Sequence, residues 1–599
     1  MSELSSLKIQ VEQIAGQVEA LTRKVDSLTE QIALFGAAPA PGRAASGDDG
    51  LPDPSEVLLS WVGRSSLLQR LSTLCFLLVV ALILRTVTDN GMVNLQLGAV
   101  IGMSYAFALM FMGWRWYRRA NSLAPIFTVC GAVLMFTIVV ETHARFDALP
   151  SFHAYILLML TGLGTAVISY VYRAPAPVAV GNLGMCIAGA AIDYPNPYFP
   201  YLGIVLLTAN LLGFMAARAY RYSWLRWILL LITLFMINLW GIKLGMTFLG
   251  GEKPPRSLAP DWFLPILTLF TATYAITAWR GIVRSLSGRI SRFELALPTI
   301  NVAWSFLLVQ YVVFAMGGSK VLLGAIGAVA GAGHLAVAAG LAGRDARGAR
   351  GANAFFFAGA VLLALALPLV VGSTLLSLPL LAAVAFGASV LSAKWHSGSV
   401  RLTSYLMQMY AAAMLAVVLL GWETSSFSVS ALSAGGVACL GLLQYRWCRN
   451  RKPPEESAFF NRFDKSDFAA LGVFFAALLG VFFLLRVTAQ RVLGIFLAPA
   501  ELNNALQCSQ SVIINLSAVV LILFAQAYRS RELRNVAILV TVIGAVNVFL
   551  YDLLRAHGVP LVISVLSFGL ATAMESVILG RWQRQSAPAQ DNDRAGSAT

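Results

Sequence analysis

The chain has 599 residues, of which 58% are hydrophobic and 12% charged. Soluble domains of average composition are about a quarter charged, so this balance, a mean hydropathy of +0.75 and recurring apolar runs of about 20 residues exclude an ordinary soluble protein and indicate a polytopic membrane protein. The net charge of +15 does not point to nucleic acid, because the arginines concentrate in every second loop between apolar runs, the positive-inside pattern.

Residues 4–35 carry a heptad. Leu4, Val11, Val18, Val25 and Ile32 recur every seven residues, and Leu7, Ile14, Leu21, Leu28 and Phe35 form the second seam. β-Branched residues at the first position with mostly leucine at the second favour a parallel two-stranded coil. Residues 1–36 are therefore expected to form a cytoplasmic coiled coil that makes the protein a dimer or pairs with another protein. Residues 37–56, "AAPAPGRAASGDDGLPDPSE", have no periodic apolar face and read as a flexible linker. The first 56 residues are polar, so no cleavable signal peptide is expected.

Residues 57–585 are expected to form an all-α transmembrane domain of about eighteen helices, followed by a disordered tail at 586–599. Spans are predicted at 68–88, 93–113, 123–140, 151–172, 176–192, 200–219, 225–249, 262–280, 294–316, 321–342, 353–372, 375–393, 402–421, 427–445, 468–487, 509–528, 534–553 and 559–580. With a cytoplasmic amino terminus, the even loops contain "WRWYRR", "RAYRYSWLR", "GRDARGARG", "YRWCRNRKPP" and "YRSRELR", and the odd loops contain "DYPNPYF", "GWETSS" and "LYDLLRAHG". The alternation predicts an even helix count, cytoplasmic ends and a cytoplasmic (inner) membrane location.

Charges within the spans need a reason, because each costs about 2.5–3.5 kcal/mol at mid-membrane on insertion scales. Arg85, in "VALILRTVTDNG", and Arg486, in "FFLLRVTAQR", are predicted to stand in the last turns of their spans on the arginine-poor side. They read either as snorkelling anchors or as an outward-facing anion site, with Asp89 as an alternative partner for Arg85. Lys243, His334 and Glu575 are the other candidate ligand-binding residues. Asp552 is expected at an outer helix end, three residues before Arg555, as a surface pair. Intramembrane amides such as Asn182, Asn210, Asn301 and Asn515 are expected to hydrogen-bond between helices, and the GxxxG pairs Gly98/Gly102 and Gly327/Gly331 to allow close packing.

No nucleotide-binding, metalloprotease or serine-hydrolase motif is present. Glu141, His143, Asp147 and His153 cluster in one odd loop and read as a solvated segment. The six cysteines show neither CxxC nor metal-ligand spacing. No cofactor or metal site is expected, and membrane lipids are the expected small-molecule partners.

Several stretches are similar to a known family. The amino-terminal heptad and linker lead to Trp61-Val62-Gly63, the first span ends in a basic residue and an Asp-Asn-Gly turn, and the last helices carry Phe549-Leu550-Tyr551-Asp552-Leu553 and Ser567-Phe568-Gly569. In these the chain resembles the bacterial polytopic membrane proteins grouped as domain of unknown function 2339. The resemblance implies a bacterial inner membrane and supplies no activity. Three functions follow as expectations: a carrier or flippase for a lipid-linked or cell-envelope substrate, a scaffold organised through the coil, or a membrane-embedded glycosyl or acyl transferase.

Overall fold

The computed structural model describes residues 94–586 apart from short breaks at 146, 193, 195–197, 221–222, 286–289, 345–350, 422–425, 455–456 and 557, together with the isolated positions 72, 73, 77 and 79. The heptad, the linker, Arg85, Asp89 and the tail beyond 586 lie outside the described residues. The chain divides into units Met1–Thr73 and Leu74–Thr599, and the second is described below.

Among the described residues every regular element is helical. The long helices are α1 (Leu95–Arg118), α2 (Ala124–Ala144), α3 (Ser151–Tyr172), α4 (Pro175–Ala191), α5 (Phe199–Tyr220), α6 (Ser223–Leu249), α7 (Pro260–Ser285), α8 (Arg292–Ala315) and α9 (Lys320–Ala342). They continue with α10 (Ala352–Val371), α11 (Thr374–Lys394), α12 (Gly398–Leu420), α13 (Phe427–Arg449), α14 (Ala469–Phe496), α15 (Pro499–Tyr528), α16 (Arg531–Val546) and α17 (Val559–Ser586). A π-helical segment, Asn547–Asp552, prolongs α16. Among the described residues sixteen helices are long and apolar enough to cross a membrane, and α4 is the shorter exception. In hydrocarbon a helix satisfies its own backbone, which is why such runs fold this way. Serines start many of them: Ser291, Ser319, Ser373, Ser397 and Ser530 each accept a hydrogen bond from a backbone N–H of the first turn.

Apart from those isolated positions, the span expected at 68–88 lies outside the described residues, and the other predicted spans match these helices except at one hairpin. The span expected to stop at 487 continues to Phe496, and its partner, expected from 509, starts at Pro499. No residue between Arg486 and Leu497 forces a stop, and the break falls where Pro499 supplies a first-turn residue without an N–H. Arg486 therefore lies ten residues before its helix end, about 15 Å along the axis, not in the last turn.

The arginine-rich loops meet one another. Trp114 Nε1 donates to Tyr172 Oη at 2.8 Å, joining the ends of α1 and α3. Arg226 at the start of α6 pairs with Glu294 at the start of α8 at 3.4 Å. Gly351 packs on Ile282 and Ile290, and Ser397 Oγ donates to Asn353 Oδ1 at 2.7 Å. Arg401 pairs with Asp467, and Arg449 with Glu532. Contacts therefore link arginine-rich helix ends from α6 to α16, the geometric counterpart of the loop alternation.

Small residues set the helix spacing, as the GxxxG pairs predict. A Cβ on Gly324 would lie 2.6 Å from the Val370 backbone nitrogen, and one on Gly327 2.4 Å from the Phe306 ring. Gly333, on the same helix, has open space. Gly324→Val should therefore destabilise the protein by about 1–3 kcal/mol, as overpacking does, and Gly333→Ala should leave the thermal midpoint of detergent-purified protein unchanged. Equal midpoints for both variants would contradict the α9–α10 packing.

Candidate functional site

The residues that begin α12 build a polar buried centre. Ser397 caps the helix, and Gly398 lets it approach Ser457, whose side chain a Cβ would strike at 2.1 Å. Arg401 then falls in the first turn, 3% exposed. Its Nε donates to Tyr405 Oη at 2.7 Å. Its Nη atoms donate to the carbonyls of Cys448 at 2.7 Å, Arg451 at 3.1 Å and Lys452 at 3.3 Å, and to the Asp467 carboxylate. One guanidinium thus satisfies carbonyls at and beyond the end of α13, groups that a helix terminus leaves without partners. Tyr405 Oη donates onward to Asp467, 3.0 Å from Oδ2.

Asp467 holds a left-handed backbone, φ +58°, which Asp tolerates better than most residues. Burial pushes its carboxyl above the usual carboxylate range, while Arg401 and Tyr405 pull it back. Asp464 accepts from the N–H groups of Phe468 and Ala469 at 2.6 and 2.7 Å, capping α14. Both aspartates of this basic loop are therefore engaged inside the protein.

Above this centre opens a cleft of about 550 Å³ lined by Arg449, Arg451, Lys452, Lys465, Asn461 and Ser466. Arg449 is held by Glu532 and by the Ser466 carbonyl. Arg451 lies 3.7 Å over the Trp447 ring. Lys452 and Lys465 are exposed. The cleft presents guanidinium and ammonium groups suited to a phosphate.

Deeper along α12 the polar stripe continues. Ser404 and Ser389 hydroxyls lie 2.8 Å apart, and Gln444 Nε2 donates to Ser389 at 2.9 Å. Gln408 Nε2 donates to the Val437 carbonyl at 2.9 Å. Toward the other end of α12, Tyr410 joins Gln310, Thr374 and Ser377 in lining a cavity of about 310 Å³ among α8, α10, α11 and α12.

The residues singled out in the sequence lie on separate helices. Arg486 donates to the Leu419 carbonyl at 3.0 Å and lies over Phe483; it ties α14 to the end of α12. Lys243 places its ammonium 5.8 Å from the Phe199 ring centroid. His334 Nδ1 sits 2.8 Å from the Ala330 carbonyl of its own helix. Glu575 is 6% exposed and accepts from Thr541. Asp552 is not a surface residue: it is fully buried, and the Ser511 and Ser564 hydroxyls donate to it. In the odd-loop cluster, His143 Nδ1 lies 2.7 Å from the Leu149 carbonyl and Glu141 pairs with Arg145. No group of three metal-ligating side chains occurs among the described residues.

Sequence reasoning missed Arg401, Tyr405 and Asp467. The available signal was the pair Asp464 and Asp467 in a loop otherwise rich in arginine and lysine.

Among the described residues the fold is all-helical, with sixteen helices long and apolar enough to cross a membrane. No protein-family model, no curated protein and no solved structure matches the chain.

Removing one partner of a buried pair leaves an uncompensated charge and costs about 3–5 kcal/mol. Asp467→Asn, which keeps the left-handed backbone accessible, and Arg401→Gln should each lower the thermal midpoint markedly. The double variant should lose less than the sum of the two. Strict additivity in the melts would show that the two side chains do not act as a pair.

Proposed function

We propose that this protein is a bacterial inner-membrane carrier or flippase for a phosphate-bearing, lipid-linked substrate of the cell envelope, with eighteen spans and both ends in the cytoplasm. The observation that carries this reading is the polar stripe of α12. It runs from the basic cleft through Arg401, Ser404, Tyr405 and Gln408, all buried on one face of α12, while Tyr410, on the opposite face, lines the separate cavity among α8, α10 and α11. Buried polar groups in a membrane protein weaken insertion and mark functional paths more often than lipid-facing surface. Arg451, Lys452 and Lys465 would meet the phosphate at the arginine-rich face, and the cavity would receive the substrate in the opposite half. Membership of the family that the sequence resembles belongs to the same proposal.

The heptad of residues 4–35 favours a second reading, a scaffold that assembles partners through a coil. One reconstitution separates the two. Full-length protein is placed in liposomes carrying fluorescent polyprenyl phosphate, and dithionite is added outside. The carrier reading expects bleaching of both leaflets, slowed by an order of magnitude when Arg451, Lys452 and Lys465 are all changed to Ala. Bleaching confined to the outer leaflet, as in empty vesicles, with a lower oligomeric state on deleting residues 1–36, would favour the scaffold and overturn the carrier.

A further inference from the structure

The last three long helices enclose two carboxylates that the carrier reading does not use. Asp552, at the end of the π segment, is fully buried, and Glu575 on α17 is 6% exposed. Neither forms an ion pair among the described residues. Each is met by hydroxyls instead. Ser511 of α15 and Ser564 of α17 donate to Asp552 Oδ2, and Oδ1 has no partner. Thr541 of α16 donates to Glu575. A carboxylate is costly to bury in an apolar interior, and among the described residues both acids are met there by hydroxyls rather than by cations.

The two acids share one interior. Asn547 Nδ2 donates to Ser511 Oγ at 2.7 Å, beside Asp552. One turn deeper on α15, Asn515 Nδ2 donates to Ser567 Oγ of α17 at 2.9 Å. The Asn515 Oδ1 atom is buried without a partner and lies against Gly544 of α16, where a Cβ would meet it at 2.3 Å. One turn from Gly544 stands Thr541, the partner of Glu575. On α17, Ser567 and Glu575 are separated by Ala571 on the same face, and on α15 Ala518 follows Asn515; both alanines are buried. The interior is therefore polar at both ends with a thin layer of small residues between. Among the other ionisable groups of these helices, Cys508 faces Asp552. At the arginine-rich end, Glu532 is held by Arg449, and Arg534 lies 5.0 Å from the Trp582 ring centroid.

We propose that this three-helix interior is a proton path, with Asp552 exchanging protons toward the arginine-poor end and Glu575 toward the arginine-rich end. Uptake at one carboxylate is matched by release from the other, so no charge accumulates. The Ser511, Ser564, Ser567 and Thr541 hydroxyls pass protons by accepting one and donating their own, and the Asn547 and Asn515 amides orient them. The layer at Ala518, Gly544 and Ala571 is the gate, crossed on water admitted between small side chains. The π segment fits this role, because such wide turns cluster at functional positions in helices. The inference goes beyond the carrier reading and holds whatever substrate is moved.

The test uses full-length protein in liposomes with a trapped pH-sensitive dye, no substrate lipid, and a potassium diffusion potential set by valinomycin. Luminal acidification should exceed that of protein-free vesicles. Asp552→Asn and Glu575→Gln should each slow it by an order of magnitude. Dicyclohexylcarbodiimide, which attacks protonated carboxyls in apolar surroundings, should modify Glu575 by peptide mass spectrometry and stop the flux in the wild type. That arm needs no variant, so it decides the matter if a substitution prevents folding. Wild-type flux equal to empty vesicles, unchanged flux in both variants, or sodium movement without protons would overturn the proposal. Substrate translocation without proton flux would leave the carrier reading standing alone.

Discussion

Arg401 carries the constraint on which the described structure turns. A polar group in a membrane protein's interior has no water to fall back on, so it finds a partner within the chain or is costly. Arg401 meets this demand for several groups at once. It holds carbonyls at the end of α13, the Tyr405 hydroxyl and the Asp467 carboxylate. Asp467 in turn fixes the approach to α14, whose first N–H groups Asp464 receives. Three helices are thereby joined at one depth by a single planar cation. Lysine has neither the fork nor the reach to serve five acceptors.

The same device recurs at smaller scale. Arg486 donates to the carbonyl of Leu419, so the far end of α12 is also held by an arginine. Arg226 pairs with Glu294 beneath the Phe293 ring, and Glu294 also closes the capping box with Ser291. Arg449 joins α13 to α16 through Glu532. The arginine-rich loops are thus also the fasteners between helix ends. The carboxylates of α16 and α17 follow a different rule: they are met by hydroxyls, not cations, and this is what makes them candidates for carrying protons.

Much of the fold was legible in the sequence. Apolar runs of membrane length, separated by loops of alternating arginine content, located nearly every helix among the described residues. The α14–α15 hairpin was misjudged because hydropathy falls at Gln490 and Arg491 while helix propensity does not, and only Pro499 marks the break. The candidate centre was hidden for another reason. Arg401 reads as one more loop arginine, and Asp467 as one of two loop aspartates; their meeting depends on how α12, α13 and α14 converge, which no spacing in the chain encodes. Asp552 was placed by its distance to Arg555, a local rule, whereas its hydroxyl partners come from α15 and α17. Glu575 stands out in the sequence as a lone acid in an apolar run, but its partner Thr541 carries no such signal.

The account depends most on the arginine-rich helix ends sharing one face, proposed here to be the cytoplasmic one. Single cysteines at Lys452, beside the cleft, and at Lys253, in an arginine-poor loop, test this directly with a membrane-impermeant maleimide applied to spheroplasts. Lys253→Cys should be labelled in intact spheroplasts, and Lys452→Cys only after permeabilisation. Labelling of Lys452→Cys from outside would place the basic cleft on the wrong side of the membrane and contradict the account.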